Sequence, residues 1–320
     1  MTRWLVTGGA GYIGAHVARQ LRESGRDVVV LDDLSTGHRA FVADDVPFVE
    51  APASDAAAVR TALEGVTGVV HLAALKYAGV SVDEPLRYYG ANVEGMRVLL
   101  EQCVAAGVEL FVYSSSAGVY GTPAAVPVVE SAPFAPESPY GETKVVGEWL
   151  LAATAMAHPL RHTSLRYFNV VGSGYDDVFD SSPHNLLPKV FGALDAGRRP
   201  MVNGTDYDTP DGSCVRDYVH VADLAAAHVA AAAALEAGTP LRPAYNIGNG
   251  VGSSVFEVMA AIGRASGREL DLDLQPRRPG DPAAVYGDAS AAATDLGFTV
   301  THDLDDMVRT AWQAWRATHP

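Results

Sequence analysis

The order of apolar runs along this 320-residue chain predicts an α/β fold: a doubly wound parallel sheet joined to a smaller mixed α/β C-terminal lobe. Three observations carry that expectation. Strand-like runs alternate with longer helical patterns up to residue 167. A glycine-rich turn separates the first strand from the first helix. Between residues 173 and 215 the composition shifts to Pro, Gly, Asp and Asn. At 48% hydrophobic, the chain has ample core for one large α/β unit or two domains.

Residues 3–7 read as a short buried strand, Gly8-Gly9-Ala10-Gly11-Tyr12-Ile13-Gly14 as a turn, and 15–24 as a helix. Glycines at this spacing permit a tight turn and let N–H groups at the helix start approach a pyrophosphate, where the helix dipole also favours negative charge. A second strand, 27–31, ends at Asp32. A carboxylate there accepts both hydroxyls of an adenosine ribose and repels a 2′-phosphate, so this Rossmann-like pattern favours NAD over NADP. The polar loop from Asp33 to Arg39 follows, on which His38 and Arg39 read equally as adenosine contacts or as solvated residues.

Residues 68–73 read as a buried strand, with Leu75-Lys76 at the sheet's carboxyl edge, where open α/β sheets bind ligands. A long helix from about residue 85 to 106 places Cys103 in an apolar pattern and leads to strand 110–114. The run Ser114-Ser115-Ser116 then offers hydroxyls at a strand end, either as donors to a reacting oxygen or as ordinary loop polarity. In Ser138-Pro139-Tyr140-Gly141-Glu142-Thr143-Lys144, Ser138 suits an N-cap and Pro139 the first helical turn. Tyr140 and Lys144 then share one helix face. An ammonium about 4 Å from a phenol, at an effective dielectric of about 20, favours phenolate by roughly 4 kcal/mol, or ~3 pK units. A surface helix with a chance Tyr/Lys pair satisfies the same five-residue pattern.

Residues 163–167 read as another strand, after which Phe168 to Gly172 leaves the sheet and a second lobe begins. Residues 215–224 precede an alanine-rich helix ending near Ala237 and a strand at 244–247, both returning to the first sheet. The expected division is therefore 1–168, joined by about 216–248, and a lobe built mainly from 169–320. His220 and His228 read as packing or solvated residues. The net charge of −15 argues against a nucleic-acid partner. Two cysteines give neither a disulfide framework nor a metal-ligand spacing. The residues before the glycines are too few for a signal peptide and no apolar run approaches a membrane span, which reads as cytoplasmic.

In this order the chain carries Thr7-Gly8-Gly9-Ala10-Gly11-Tyr12-Ile13-Gly14, Leu75-Lys76, the serine run ending Val119-Tyr120-Gly121, Ser138-Pro139-Tyr140-Gly141 with Lys144, Arg166-Tyr167-Phe168-Asn169, Asp211-Gly212 with Val215-Arg216-Asp217-Tyr218, and Pro276-Arg277-Arg278 with Asp281. On these motifs it resembles the extended short-chain dehydrogenase/reductase superfamily and, within it, the UDP-glucose 4-epimerases of the NAD-dependent epimerase/dehydratase family, over essentially the whole chain. The resemblance implies interconversion of UDP-glucose and UDP-galactose. A tightly held NAD removes hydride from C4 while Tyr140 takes the C4 hydroxyl proton; the 4-keto sugar turns over and hydride returns to its other face. Ser116 would hydrogen-bond the sugar oxygen, and Lys144 would hold the nicotinamide ribose. Cofactor contacts are implied at Gly8, Gly11, Tyr12, Ile13, Gly14, Asp32, Asp33, Leu34, Ser35, Thr36, Gly37, Leu72, Ala73, Ala74, Lys76, Ser114, Tyr140, Lys144, Tyr167 and Phe168. UDP-sugar contacts are implied at Lys76, Ser116, Tyr140, Phe168, Asn169, Asn185, Leu186, Asn203, Arg216, Arg278, Asp281 and Val285. Arginines suit this task, since their forked donors match a pyrophosphate inside an otherwise acidic chain.

Several positions depart from the family pattern. Ala51-Pro52-Ala53 stands where Gly-Asp-Ile/Leu usually recognises adenine, with Asp55 as a candidate stand-in. Ala91 replaces a cofactor-facing asparagine, Gly118 a threonine, and Asn203 an aromatic near the uracil. Val285 stands where a tyrosine is associated with exclusion of N-acetyl groups, so acceptance of UDP-N-acetylglucosamine and its galacto epimer is expected. An epimerase for another UDP-sugar remains an alternative. A 4,6-dehydratase would carry an Asp-Glu pair in place of Ser115-Ser116, and an NAD-sensing regulatory protein would not need both Tyr140 and Lys144. Relatives commonly form homodimers through two helices, here near 85–106 and 140–157.

Overall fold

The computed structural model describes residues 2–278 and 280–319. The chain runs β1 (Arg3–Thr7), α1 (Tyr12–Glu23), β2 (Asp27–Asp32), β3 (Phe48–Glu50), α2 (Ala56–Ala62) and β4 (Gly68–His71). Helices α3 (Ala78–Asp83) and α4 (Pro85–Tyr88) and a π-helical stretch, Tyr89–Glu94, lead into α5 (Gly95–Ala106) and β5 (Leu110–Ser114). Next come α6 (Pro139–Ala157), β6 (Arg161–Tyr167), β7 (Asn169–Val171), α7 (Leu186–Asp195), β8 (Met201–Asn203) and β9 (Val215–His220). The remainder is α8 (Val221–Glu236), β10 (Ala244–Ile247), β11 (Gly252–Ser254), α9 (Val255–Ser266), β12 (Asp273–Gln275), β13 (Ala284–Val285), α10 (Ser290–Leu296) and α11 (Leu304–Thr318).

Seven parallel strands form the large sheet in the order β10-β6-β5-β4-β1-β2-β3. The chain winds outward from β1 to β3, then returns to β4 and winds the other way. The reversal between β1 and β4 opens a crevice at their carboxyl ends, the place where such sheets bind ligands. Because both faces are covered, the central strands read as near-continuous apolar runs. Alternate residues feed opposite cores: Trp4, Val6, Val30 and Val112 pack on one face with residues of α1 and α8, and Leu5, Leu31, Val69 and Phe111 on the other with residues of α2 and α5. A third core, including Phe191, Met259, Ile262 and Met307, underlies the C-terminal lobe.

The structure corrects several element boundaries. Helix α1 begins at Tyr12, so Gly14 lies inside it. The long helix expected over 85–106 is interrupted by the π-helical residues 89–94, which change the phase of the side chains that follow. The 173–215 segment, whose composition shifts to Pro, Gly, Asp and Asn, contains the ten-residue helix α7. Strand β9 lies in a small sheet with β7, β11 and β13, so the return to the large sheet begins only at α8 and not at residue 216. Among the described residues no helix is long and apolar enough to cross a membrane.

Candidate active site

The first cleft is built by the glycine turn. Gly8 has φ +70°, and a Cβ there would sit 2.7 Å from the Ala73 nitrogen. At Gly14 a Cβ would lie 2.0 Å from the Gly8 carbonyl oxygen. Helix α1 therefore starts flush against the turn, with no side-chain cap and no acidic residue in its first turn. Its positive end is left for a ligand. In front of it lies a cavity of about 680 Å³ lined by Gly8, Gly11, Tyr12, Ile13, Gly14, Asp32, the loop Asp33, Leu34, Ser35, Thr36 and Gly37, and Leu72, Ala73, Ala74 and Lys76. Buried Asp32 accepts N–H bonds from Ala10 and Leu34, both at 2.9 Å. Burial raises its pKa, and those backbone donors oppose the rise. An open helix end with a carboxylate at the neighbouring strand end fits a dinucleotide.

At the far end of this cavity Ala51, Pro52, Ala53, Gly90 and Ala91 form a wall without a charged side chain. Asp55 does not stand in for the missing carboxylate. It caps α2, accepting from the N–H groups of Ala57 and Ala58 at 3.0 and 3.1 Å, and is not part of the cavity wall. Asn92, beside Ala91, turns inward, where it bonds both backbone groups of Leu75 and the Thr143 hydroxyl. That amide, which sequence reasoning missed, fixes the chain leading to Lys76.

Helix α6 begins as its sequence dictates: the Ser138 hydroxyl accepts from Gly141 N–H at 3.2 Å and Pro139 opens the first turn. Lys144 is buried, donates to the Ser114 carbonyl at 2.8 Å, and lies 5.0 Å from the ring centre of Tyr113 and 5.9 Å from that of Tyr140. The expected lowering of the Tyr140 pKa by Lys144 is not realised in this arrangement. Burial pushes the phenol up, while the facing Ser116 hydroxyl favours its ionised form. Burial also brings Lys144 down to about 7, with Glu148 opposing the change, so the cation that was to stabilise phenolate is itself poorly sustained. Ser114 does not offer its hydroxyl to the cofactor cleft. That hydroxyl is buried against His228 Nε2 at 2.7 Å and also bonds Tyr167, while the Ser114 carbonyl serves the site through Lys144.

A second cavity, of about 1100 Å³, lies between β6, β7, α7, β9 and the chain around Arg278. Its wall includes Lys76, Ser116, Tyr140, Tyr167, Phe168, Asn169, Asn185, Leu186, Asn203, Arg216, Arg278 and Asp281. Asn185 donates to Asp180 at 2.7 Å, and Asn169 to the Asp217 carbonyl at 3.2 Å. Arg216 pairs with Asp281, whereas Arg278 has no partner among the described residues and, after burial, depresses the pKa of nearby Lys189. Val285 is not in the wall. It sits on β13, paired with Arg216, which does line the cavity. Sequence reasoning also missed Asp180, which lines both cavities, and Tyr77 of the first cavity and His184 of the second, whose ring centres lie 4.3 Å apart. The two cavities share Tyr12, Ile13, Lys76, Tyr140, Tyr167 and Asp180, so they meet at Tyr140.

A doubly wound sheet whose dinucleotide-shaped cleft opens at Tyr-x-x-x-Lys into a second, cation-rimmed cleft defines a class. The chain belongs to the NAD dependent epimerase/dehydratase family, whose model matches residues 4–248. It is 42% identical over 325 residues to the UDP-glucose 4-epimerase of Streptomyces lividans, covering 99% of this chain and 97% of that one. Among solved structures it is similar to the UDP-glucose 4-epimerase of Brucella ovis in complex with NAD, at TM-score 0.93 and 40% identity over 97% of both chains. The enzyme of Stenotrophomonas maltophila with bound NAD and formylated UDP-arabinopyranose matches at TM-score 0.93 and 38% identity over 99% of both chains.

Proposed function

We propose that the chain is a UDP-hexose 4-epimerase that interconverts UDP-glucose and UDP-galactose by transient NAD-dependent oxidation at C4. The observation that carries this reading is the meeting of the two cavities at Tyr140. NAD, when bound, supplies the reversible hydride acceptor. The glycine turn and α1 would hold its pyrophosphate, Asp32 its adenosine ribose, and Lys144 its nicotinamide ribose. Tyr140 takes and returns the C4 hydroxyl proton, with Ser116 hydrogen-bonded to the same sugar oxygen. Arg278 and the Arg216–Asp281 pair grip the nucleotide, leaving the hexose free to turn. Residues 1–168 with the return through α8 and β10 act as the cofactor unit, and the rest mainly as the sugar-nucleotide lobe. Ser115 and Ser116 provide no acid for eliminating water from the hexose, which weighs against a dehydratase. Incubation of purified protein and NAD with UDP-glucose or UDP-galactose, followed by separation of the two, tests the reading; interconversion in both directions supports it.

The working unit is proposed to be a homodimer. Val82 on α3, Leu86 on α4, and Trp149 and Met156 on α6 are large apolar side chains left 59–90% exposed on helices that pack together. Large exposed apolar side chains gathered on neighbouring helices mark an interaction surface. Light scattering of wild type and of Leu86→Glu/Met156→Glu checks it, with dimer giving way to monomer as the expected outcome and a monomeric wild type as the contrary one.

A further inference from the structure

Below the site lies a buried charged pair that the reaction as described does not use. Glu148 falls one turn after Lys144 on α6, on the same face as Tyr140. Its carboxylate is paired with Arg166 of β6 through two bonds, Nε at 2.9 Å and Nη2 at 2.6 Å, and accepts the Ser115 hydroxyl at 2.5 Å. Only 6% of the Arg166 side chain and 9% of that of Glu148 are exposed. From its other end Arg166 donates to the Tyr120 hydroxyl at 2.8 Å and to the Glu130 carbonyl at 3.1 Å. Tyr120 donates its own proton to Asn246 of β10 at 2.7 Å. The short segment that carries Ser116 is thus gripped at both ends, at Ser115 and at Tyr120, by one ion pair anchored on the helix that carries Tyr140.

We propose that Glu148 and Arg166 are positioning residues: the pair locks Ser116 against Tyr140 and sets an anion one helical turn from the Lys144 ammonium. A fork bonded at both nitrogens fixes distance and angle in a way a point charge does not. Lys144 is faced by Tyr113 of β5, by Tyr140 and Glu148 of its own helix and by His71 of β4; Tyr167 of β6 shares its cavity wall, and His228 of α8 stands behind Ser114. Among these, Glu148 is the anion.

The inference rests on the epimerase reading, so turnover of UDP-glucose by wild type is measured first; its absence overturns that reading and leaves the binding arm below intact. In Glu148→Leu/Arg166→Met the pair gives way to apolar side chains of similar size, an exchange that buried ion pairs commonly tolerate. A cooperative melt near that of wild type, unchanged UDP affinity and KM, and kcat about 10²-fold lower are expected, the scale of a small misplacement of reacting groups. In Glu148→Gln, calorimetric titration with NAD from mildly acid through alkaline pH should show affinity falling from a pH about one unit lower than in wild type. If either variant fails to fold, Ser115→Ala, which removes only one grip, should still lower kcat about tenfold or more at constant KM. A folded double variant with kcat within about threefold of wild type, an unmoved pH break in Glu148→Gln, or a Ser115→Ala enzyme indistinguishable from wild type would each overturn the proposal.

Discussion

At the scale of single residues, the site separates groups that face a ligand from groups that serve another side chain. Arg278 belongs to the first kind. It lines the second cavity and has no acidic partner among the described residues, so its charge is available to a diphosphate. Arg216 is mixed, because removing it also strands Asp281. Arg278→Ala should therefore weaken binding of UDP by about 1.5 to 3 kcal/mol, the scale of a charge-assisted hydrogen bond, while leaving NAD affinity unchanged. Calorimetry with each ligand separates the two; equal losses for both would mean that Arg278 supports the fold and not the nucleotide. Much at this scale was legible in the sequence. The four-residue spacing of Tyr140 and Lys144 put both on one face, and Glu148 at the next step of the same spacing was equally available to be noticed. The Ser114 hydroxyl, two residues after Val112 on β5, follows the strand alternation onto the α8 face, but its partner there, His228, was not legible from the pattern. The energetics were misjudged for a related reason: pattern shows proximity, whereas desolvation depends on everything packed around the pair.

At the scale of elements, two helical glycines make opposite demands. Gly14 in α1 is pressed against the turn it follows, and any side chain there meets the backbone of Gly8. A Cβ at Gly192 in α7 would meet no atom within 4 Å. Gly14→Ala should abolish NAD retention by displacing the turn, whereas Gly192→Ala should stabilise the protein by about 0.5 to 1 kcal/mol. Thermal melts with NAD titration check both, and normal cofactor affinity in Gly14→Ala would contradict the role given to the turn. Strands of the large sheet were readable because burial on both faces leaves near-continuous apolar runs. Helix α7 was hidden by Pro188 in its first turn and by its polar, glycine-rich surroundings, although its buried positions Leu187, Val190 and Phe191 keep helical spacing. The π-helical residues 89–94 carry no comparable mark, and so the inward turn of Asn92 was unreadable.

For the whole molecule, pH is the informative variable. His16, His71, His220 and His228 are buried, and desolvation lowers their pKa values from 6.5 to about 4, 3, 3 and 4. A group whose folded pKa is depressed contributes stability that is present above its unfolded pKa and is lost as pH falls toward the folded value. Asp217, raised to about 6 by burial, acts in the opposite sense, losing stability as pH rises from 3.8 through 6. Four histidines outweigh one carboxylate, so the melting temperature of the free protein should fall steadily from about pH 6.5 toward 4, while Lys144, lowered to about 7, makes it rise with pH above neutrality. A flat profile across that window would mean that these rings take up protons without unfolding the chain. The central claim, transient oxidation at C4 with Tyr140 as the base, is tested most directly by isotope transfer. Wild-type protein given UDP-glucose deuterated at C4 should yield UDP-galactose that retains the deuterium at C4, and Tyr140→Phe should make that product about 10² to 10⁴ times more slowly. Loss of the label to solvent, or an unchanged rate in Tyr140→Phe, would contradict it.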